Sequence, residues 1–330
     1  MADLKYDVLG IGNAIVDVIA PSSEDFLIDE GLAKGAMMLI DEARAEQLYG
    51  RMAAGIEASG GSAANTVAGV ASFGGRAAYI GKVAQDGLGK VFAHDIGAIG
   101  VTYTTAPLTT GAATARCLVN VTPDGQRTMS TFLGASVHLT PDDVDAALIE
   151  GARITYLEGY LFDPHEARRA FAKAAGLARA SGRLIALSLS DAFVVDRHRE
   201  ALKGFIDSEV DVLFANEVEL KSLFETDDFD AAARALRGRV GLAAVTRGKK
   251  GSVVVSGDEI HAADAASVEK VVDTTGAGDQ YAAGFLFGLA GGRPLPACAR
   301  LGSLAAAEVI SHYGPRPQVS LKDLALKSGL

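Results

Sequence analysis

Short apolar runs alternate with longer helix-type segments along most of the chain. The runs are "YDVLGIG", "AAYIGKV", "RITYLEG", "RLIALSLS", "VDVLFAN" and "LAAVTRG", with helix patterns over Ala63 to Phe73 and Glu166 to Ser181. Near-continuous apolar strands separated by helices predict an α/β fold, a mostly parallel sheet with helices on both faces. The alternation breaks at residues 14–40, with "AIVDVIA" and "GAMMLID", and at residues 101–135, where Pro123-Asp124-Gly125 marks a hairpin turn. These two regions are expected to pair as a small sheet that forms a lid over one domain spanning residues 1–330, since no linker, repeat or low-complexity tract divides the chain.

Composition narrows the function. A hydrophobic content of 49% over 330 residues supports a large core, and 41 acids against 31 bases give a net charge of −10 with no dense basic run. A nucleic-acid partner is therefore not expected, and any phosphate must be held by local features. Cys117 and Cys298 match no disulfide or zinc spacing and read as core residues, and no two of the six histidines stand at metal spacing. With no apolar run of about 18 residues and no charged leader, the expectation is a cytoplasmic protein without a membrane partner.

Two common phosphate devices are missing. "LGIGNAIVD" starts like a dinucleotide fingerprint, but Ile15 holds the third glycine position and a β-type segment follows. No segment supplies a Walker A loop. Instead, "VEKVVDTTGAGDQYAAGF" joins a strand-type run to a helix with apolar residues at Ala282, Phe285, Leu286 and Leu289. Gly276, Ala277 and Gly278 then lie at a helix start, where unpaired N–H groups and a bare backbone suit an anion. Asp279 beside them serves either as an N-cap or as a base for an attacking hydroxyl, ionised at neutral pH if its pKa is the ordinary value of about 4.

The "DTTGAGD" stretch resembles one signature of the ribokinase or PfkB family of carbohydrate kinases, and Gly60 to Gly89 resembles the other. The two lie in family order and together cover almost the whole chain. The resemblance implies a ribokinase-like fold, an enzyme that moves a phosphoryl group from ATP with Mg²⁺, and Asp279 as base. It also implies substrate contacts at Asn13 and Asp17 of "GNAIVD" and at Gly60, Gly61 and Asn65 of "GGSAAN". A carboxylate with two amides suits a vicinal diol, because the carboxylate accepts from hydroxyls and an amide both donates and accepts. Singly, Asn13 also fits a turn and Asn65 a helix cap.

Within the family the chain resembles the adenosine kinase branch. "GAMMLIDE" and "QRTMSTFLGAS" are similar to its lid strands, which implies an apolar base pocket of Met37, Leu39, Leu133 and Ala135 with Leu161 opposite. Animal members carry an amide in place of Met37 and an aromatic ring in place of Leu161. Free sugars and other nucleosides stay open as substrates, as does a sensor without turnover. Asn216 and Glu219 form N-x-x-E, which is a capping box by itself and in the family orients the Mg²⁺ hydration shell. Thr246 and Gly248 resemble a turn that touches the nucleotide phosphates, and Arg127 resembles a lid arginine that reaches the transferring phosphate. The family's monovalent-cation site, K⁺ in many members, would fall on Asp273 and Thr275 with backbone of Ser311 to Gly314. Lid edges that stay covered imply a monomer, and edges that pair imply a homodimer.

Overall fold

The computed structural model describes residues 4–330. Its strands are β1 (Tyr6–Ile11), β2 (Ile15–Pro21), β3 (Met37–Leu39), β4 (Ile56–Gly60), β5 (Ala77–Ile80), β6 (Thr102–Tyr103), β7 (Ala115–Val121) and β8 (Arg127–Phe132), followed by β9 (Ala152–Glu158), β10 (Leu184–Ser188), β11 (Val212–Asn216), β12 (Leu242–Thr246), β13 (Ser252–Ser256) and β14 (Glu259–Ala263). Nine of them form one sheet in the order β14-β13-β12-β11-β10-β9-β1-β5-β6. It is parallel from β6 to β12, and β13 and β14 close it as antiparallel edge strands.

The apolar runs of the central strands are explained by burial on both faces. Leu9, Leu157, Leu187, Leu213 and Val245 point to one side, into a core with Phe171 and the alanines of helix His165–Ala180. Val8, Tyr156, Ala186, Phe214 and Ala244 point to the other, against helices Ser62–Ser72 and Ala277–Ala290. The period of two puts alternate residues of each strand on opposite helical layers.

The second sheet has the order β3-β8-β7-β2-β4. Its register aligns Asp17 with Cys117, Cys117 with Thr131, and Thr131 with Leu39, one transverse row across four strands. The turn at Pro123-Asp124-Gly125 connects β7 to β8, closed by Thr122 N–H donating to Gln126 O at 2.9 Å. Two boundaries differ from expectation. β4, outside the expected 14–40 and 101–135 segments, completes this sheet through β2, and β6 joins the main sheet beside β5. "VEKVV" is not a strand: Val268 to Val272 run largely exposed without a strand neighbour, tied by the Val272 N–H to Ile310 O at 2.8 Å. Alternating polarity cannot make a strand where no edge is available to pair.

Helix Ala277–Ala290 packs along helix Leu295–Val309 at Gly284, where a Cβ would enter hard contact with the Leu301 and Gly302 backbone. Gly176, by contrast, is exposed within helix His165–Ala180 with open space around it. Gly284→Ala should therefore cost about 1–3 kcal/mol through overpacking, and Gly176→Ala should gain up to about 1 kcal/mol through helix propensity. Denaturant midpoints of the two variants against the parent chain check both signs.

Candidate active site

A cavity of about 760 Å³ lies between the inner face of the small sheet and the carboxyl ends of the main-sheet strands, the usual position for a ligand in an open α/β sheet. The main sheet supplies the strand exits: Asn13 after β1, Glu158 on β9, Ser188 on β10, Asn216 on β11 and Thr246 on β12. The lid supplies alternate residues: Ile15 and Asp17 from β2, Met37 and Leu39 from β3, Cys117 and Val119 from β7, and Arg127, Met129 and Thr131 from β8. Leu133 lines it as well.

At one end of the cavity, helix Ala277–Ala290 begins. Its N-cap is Gly276, held at φ +77° because a Cβ there would enter Pro315. Asp279 is therefore a first-turn residue, and its carboxylate turns to the neighbouring helix. Ser62 Oγ donates to its Oδ1 at 2.6 Å and Asn65 Nδ2 to its Oδ2 at 3.2 Å. The capping alternative for Asp279 is thus overturned. Nor does an ordinary carboxylate pKa apply, since burial pushes it up while the Ser62 and Asn65 donors pull it down.

Gly61 precedes helix Ser62–Ser72 at φ +100°, where a side chain would collide with the Asn13 carbonyl. Gly60 does not line the cavity, but a Cβ on it would strike the Asp17 carboxylate. Asp17 lines the cavity with its pKa raised to about 6, chiefly by burial, with Arg316 and Arg127 opposing and Asp279 adding to the rise. Asn13 donates from Nδ2 to Glu158 Oε1 at 2.7 Å, so its buried, unpartnered Oδ1 is an acceptor only. Asn65 has both ends engaged, with Arg316 Nε donating to Oδ1 at 3.2 Å, and it meets Asp279 before any ligand.

Sequence reasoning missed Glu158, Ser62, Arg316 and Tyr160. Glu158 is buried with its pKa raised to about 7, mainly by burial, although the Ala63 N–H and Asn13 donate to it. An acid closing the apolar run "ITYLE" was its signal; Arg316, between two prolines, offered none. Leu161 and Ala135 are corrected: both are fully buried and away from the cavity. The short 3-10 turn Gly159–Phe162 rotates Leu161 into the core and presents Tyr160 to the cavity.

Asn216 and Glu219 form the full capping box, and both line the cavity. Glu219 takes the Asn216 N–H at 2.9 Å and its Nδ2 at 2.6 Å, and burial raises its pKa to about 7. With both oxygens committed, the pair fits a hydrated Mg²⁺ held through water rather than a direct ligand. Gly248 lies outside the cavity lining, while Thr246 belongs to it. Arg127 is no surface arginine: it is buried, with Nη2 at 3.0 Å from Asp273 and its guanidinium 5.6 Å from the Tyr313 ring centroid. The side chains expected at a monovalent-cation site are bonded within the chain. Asp273 takes the Thr275 N–H at 3.0 Å, the Thr275 Oγ1 hydroxyl at 2.8 Å and the Gly314 N–H at 3.1 Å besides Arg127, and Ser311 Oγ donates to Glu308 O. No group of three or more metal-ligating side chains occurs among the described residues, and no helix among them is long and apolar enough to cross a membrane.

Residues 36–321 match the pfkB family carbohydrate kinase model. The chain belongs to the pfkB carbohydrate kinase family. It is similar to the solved structure of adenosine kinase from Sinorhizobium meliloti, 54% identical with a TM-score of 0.91 over 98% of this chain and 99% of that one. A probable sugar kinase from Rhizobium etli is 48% identical, with a TM-score of 0.92 over 99% of each chain. Adenosine kinase of Saccharomyces cerevisiae is 27% identical, over 92% of this chain and 95% of its own. The protein is accordingly an ATP-dependent kinase of the nucleoside and sugar class, and its fold is that of these neighbours.

If Asp17 accepts substrate hydroxyls, as the family resemblance implies, it does so best ionised, and its raised value moves the loss of charge up to about pH 6. Substrate affinity without ATP should weaken as pH falls through that value. Asp17→Asn should bind weakly throughout, with no inflection there. Titrations of substrate Kd against pH in both proteins check it, and a flat wild-type profile refutes it.

Proposed function

We propose that this kinase transfers the γ-phosphoryl of ATP to the 5′-hydroxyl of adenosine, giving AMP and ADP. The observation that carries the substrate choice is the polarity gradient across the cavity roof. The transverse row runs from Asp17 through Cys117 and Thr131 to Leu39, and Met37, Met129 and Leu133 extend its apolar end. Acceptors for two ribose hydroxyls, Asp17 and Asn13 Oδ1, lie at one end, and the apolar walls at the other suit a purine. The Sinorhizobium meliloti neighbour supports the same reading.

Asp279 acts as the base. As O5′ forms its bond to Pγ, the proton on O5′ passes to Asp279 and the bond from Pγ to the bridging oxygen of ADP breaks. A carboxylate raised by burial is a stronger base than an exposed one, so the enclosure of Asp279 favours proton acceptance. The helix-start amides at Gly276 and Gly278 meet the developing negative charge, the Ala277 N–H between them donating to Thr274 O at 3.3 Å. Arg127 exchanges Asp273 for the transferring phosphoryl group, which carries more negative charge, and lid closure shields the reaction from water. When bound, Mg²⁺ neutralises the β- and γ-phosphate oxygens, and Asn216 with Glu219 orients its water shell, while Thr246 lies beside the phosphates.

Asp279→Asn keeps size and removes the base, so turnover should fall by at least about 10²-fold with substrate binding largely retained. Near-normal turnover would remove Asp279 from the role, and an inactive parent chain would favour a sensor. An ATP-consumption assay across adenosine, inosine, guanosine, ribose and fructose phosphates tests the acceptor: adenosine should give the highest kcat/KM. A free sugar turning over while adenosine is inert would make this a sugar kinase.

A further inference from the structure

Arg316 sits in the loop after helix Leu295–Val309, between Pro315 and Pro317, and is not itself among the residues that line the cavity, although it bonds to Asn65, which is. Its side chain is largely buried and spans three elements. Nη1 donates to Ser59 Oγ on β4 at 2.6 Å and to Asp95 Oδ2 on helix Gly87–Ala98 at 3.2 Å, and Nε donates to Asn65 Oδ1 at 3.2 Å. The loop that carries it is pinned over the catalytic helix, because the fully buried Gln280 donates from Nε2 to both Pro315 O and Asn65 O at 3.0 Å.

An amide side chain has one donating and one accepting end, and whatever holds one end decides what the other presents. A guanidinium has donors only, so it can hold only the oxygen of Asn65. The nitrogen is then left for Asp279. We propose that Arg316 is a positioning residue for phosphoryl transfer: it fixes Asn65 oxygen-inward, so that Asn65 donates to the catalytic carboxylate and holds it beside the acceptor hydroxyl. This rests on Asp279 being the base. Without the guanidinium, Asn65 is free to turn its oxygen toward a carboxylate that repels it, and Asp279 keeps only the Ser62 hydroxyl as partner.

The groups that act on Asp279 from the surrounding elements are Ser62 and Asn65 directly, with Asp17, Glu158, Glu219, Tyr156 and Tyr160 near enough for their ionisation to be coupled to it. Donation from Asn65 favours the ionised form, so losing it raises the pKa of the base and the acid limb of the rate profile moves to higher pH.

The test uses Arg316→Ala and Arg316→Met, the second keeping an apolar stem in place of the guanidinium, with Asp279→Asn in parallel. In both Arg316 variants kcat should fall by about 10-fold to 10²-fold, the scale of a misplaced catalytic group, with a smaller change in substrate KM. The acid limb of kcat at saturating substrate, which reports groups of the bound complex and not the affinity of Asp17, should shift upward, and millimolar guanidinium, but not urea, should restore part of kcat in Arg316→Ala. If Arg316→Ala does not fold, the pH limb of Arg316→Met decides. A wild-type limb and kcat in a folded variant, even one with a lowered Tm, overturns the proposal, as does equal rescue by urea. An inactive Asp279→Asn beside unimpaired Arg316 variants removes the role of Arg316 alone. An active Asp279→Asn removes the base assignment and this proposal with it.

Discussion

The packing of helix Ser62–Ser72 against helix Ala277–Ala290 decides where every reacting group stands. The two approach through small residues: a Cβ on Gly69 would enter the Gln280 amide and Ala283. Gln280, fully buried, bonds across the seam to the Asn65 carbonyl. Both helix starts are therefore held side by side, and Asp279, one turn into its helix, falls opposite Ser62 and Asn65. At 3.6 residues per turn, moving that carboxylate by a single position would swing it about 100° around the axis and away from both donors. The spacing in "GAGD" is thus a geometric requirement of the seam as much as a chemical one.

That seam concentrates carboxylates. Asp17, Glu158, Glu219 and Asp279 all have their pKa values raised, in each case first by burial, and the Asp279 charge contributes to the rise at the other three. Enclosing several acids is costly unless each is given donors. Backbone N–H groups of Ala63 and Asn216 serve Glu158 and Glu219, side-chain donors serve Asp279, and the charges of Arg316 and Arg127 act on Asp17. A chain of net charge −10 repels a polyanion at long range. On the proposed reading, the helix start at Gly276 and the buried Arg127 supply attraction locally, and the contact with Asp273 holds the arginine at the cavity.

Much of this was legible in the sequence because period and glycine spacing report backbone geometry. Apolar runs marked the buried strands β1, β5, β9, β10, β11 and β12, and the helices over 63–73 and 166–181 fall within a residue of Ser62–Ser72 and His165–Ala180. The glycines of "GGSAAN" and "GAGD" marked helix starts for the same reason. Arg316 and Glu158 were not legible, since their roles come from contacts across long separations, to Asn65 and Asn13, that no local pattern encodes. β4 was missed because "IEASG" is short and largely exposed at its start, and "VEKVV" was misjudged because alternation predicts a strand only where a partner edge exists.

The exchange of Leu161 for Tyr160 shows how tightly the lid and the main sheet must agree. Gly159 leaves β9 with the Ser188 and Leu189 carbonyls so close that no side chain fits, and the chain turns at once into a single 3-10 turn. That turn sends Leu161 and Phe162 into the core and leaves Tyr160 on the cavity side. The lid opposite is fixed by its register. A one-residue slip of β8 against β7 would turn Arg127, Met129 and Thr131 outward and replace them with Thr128 and Ser130. The apolar wall and the cavity-lining arginine would be lost in the same step. Because both features ride on alternate positions of one strand, the lid cannot adapt its cavity-facing surface by shifting strands, and any change of that surface must come through single side chains such as Met37 and Met129.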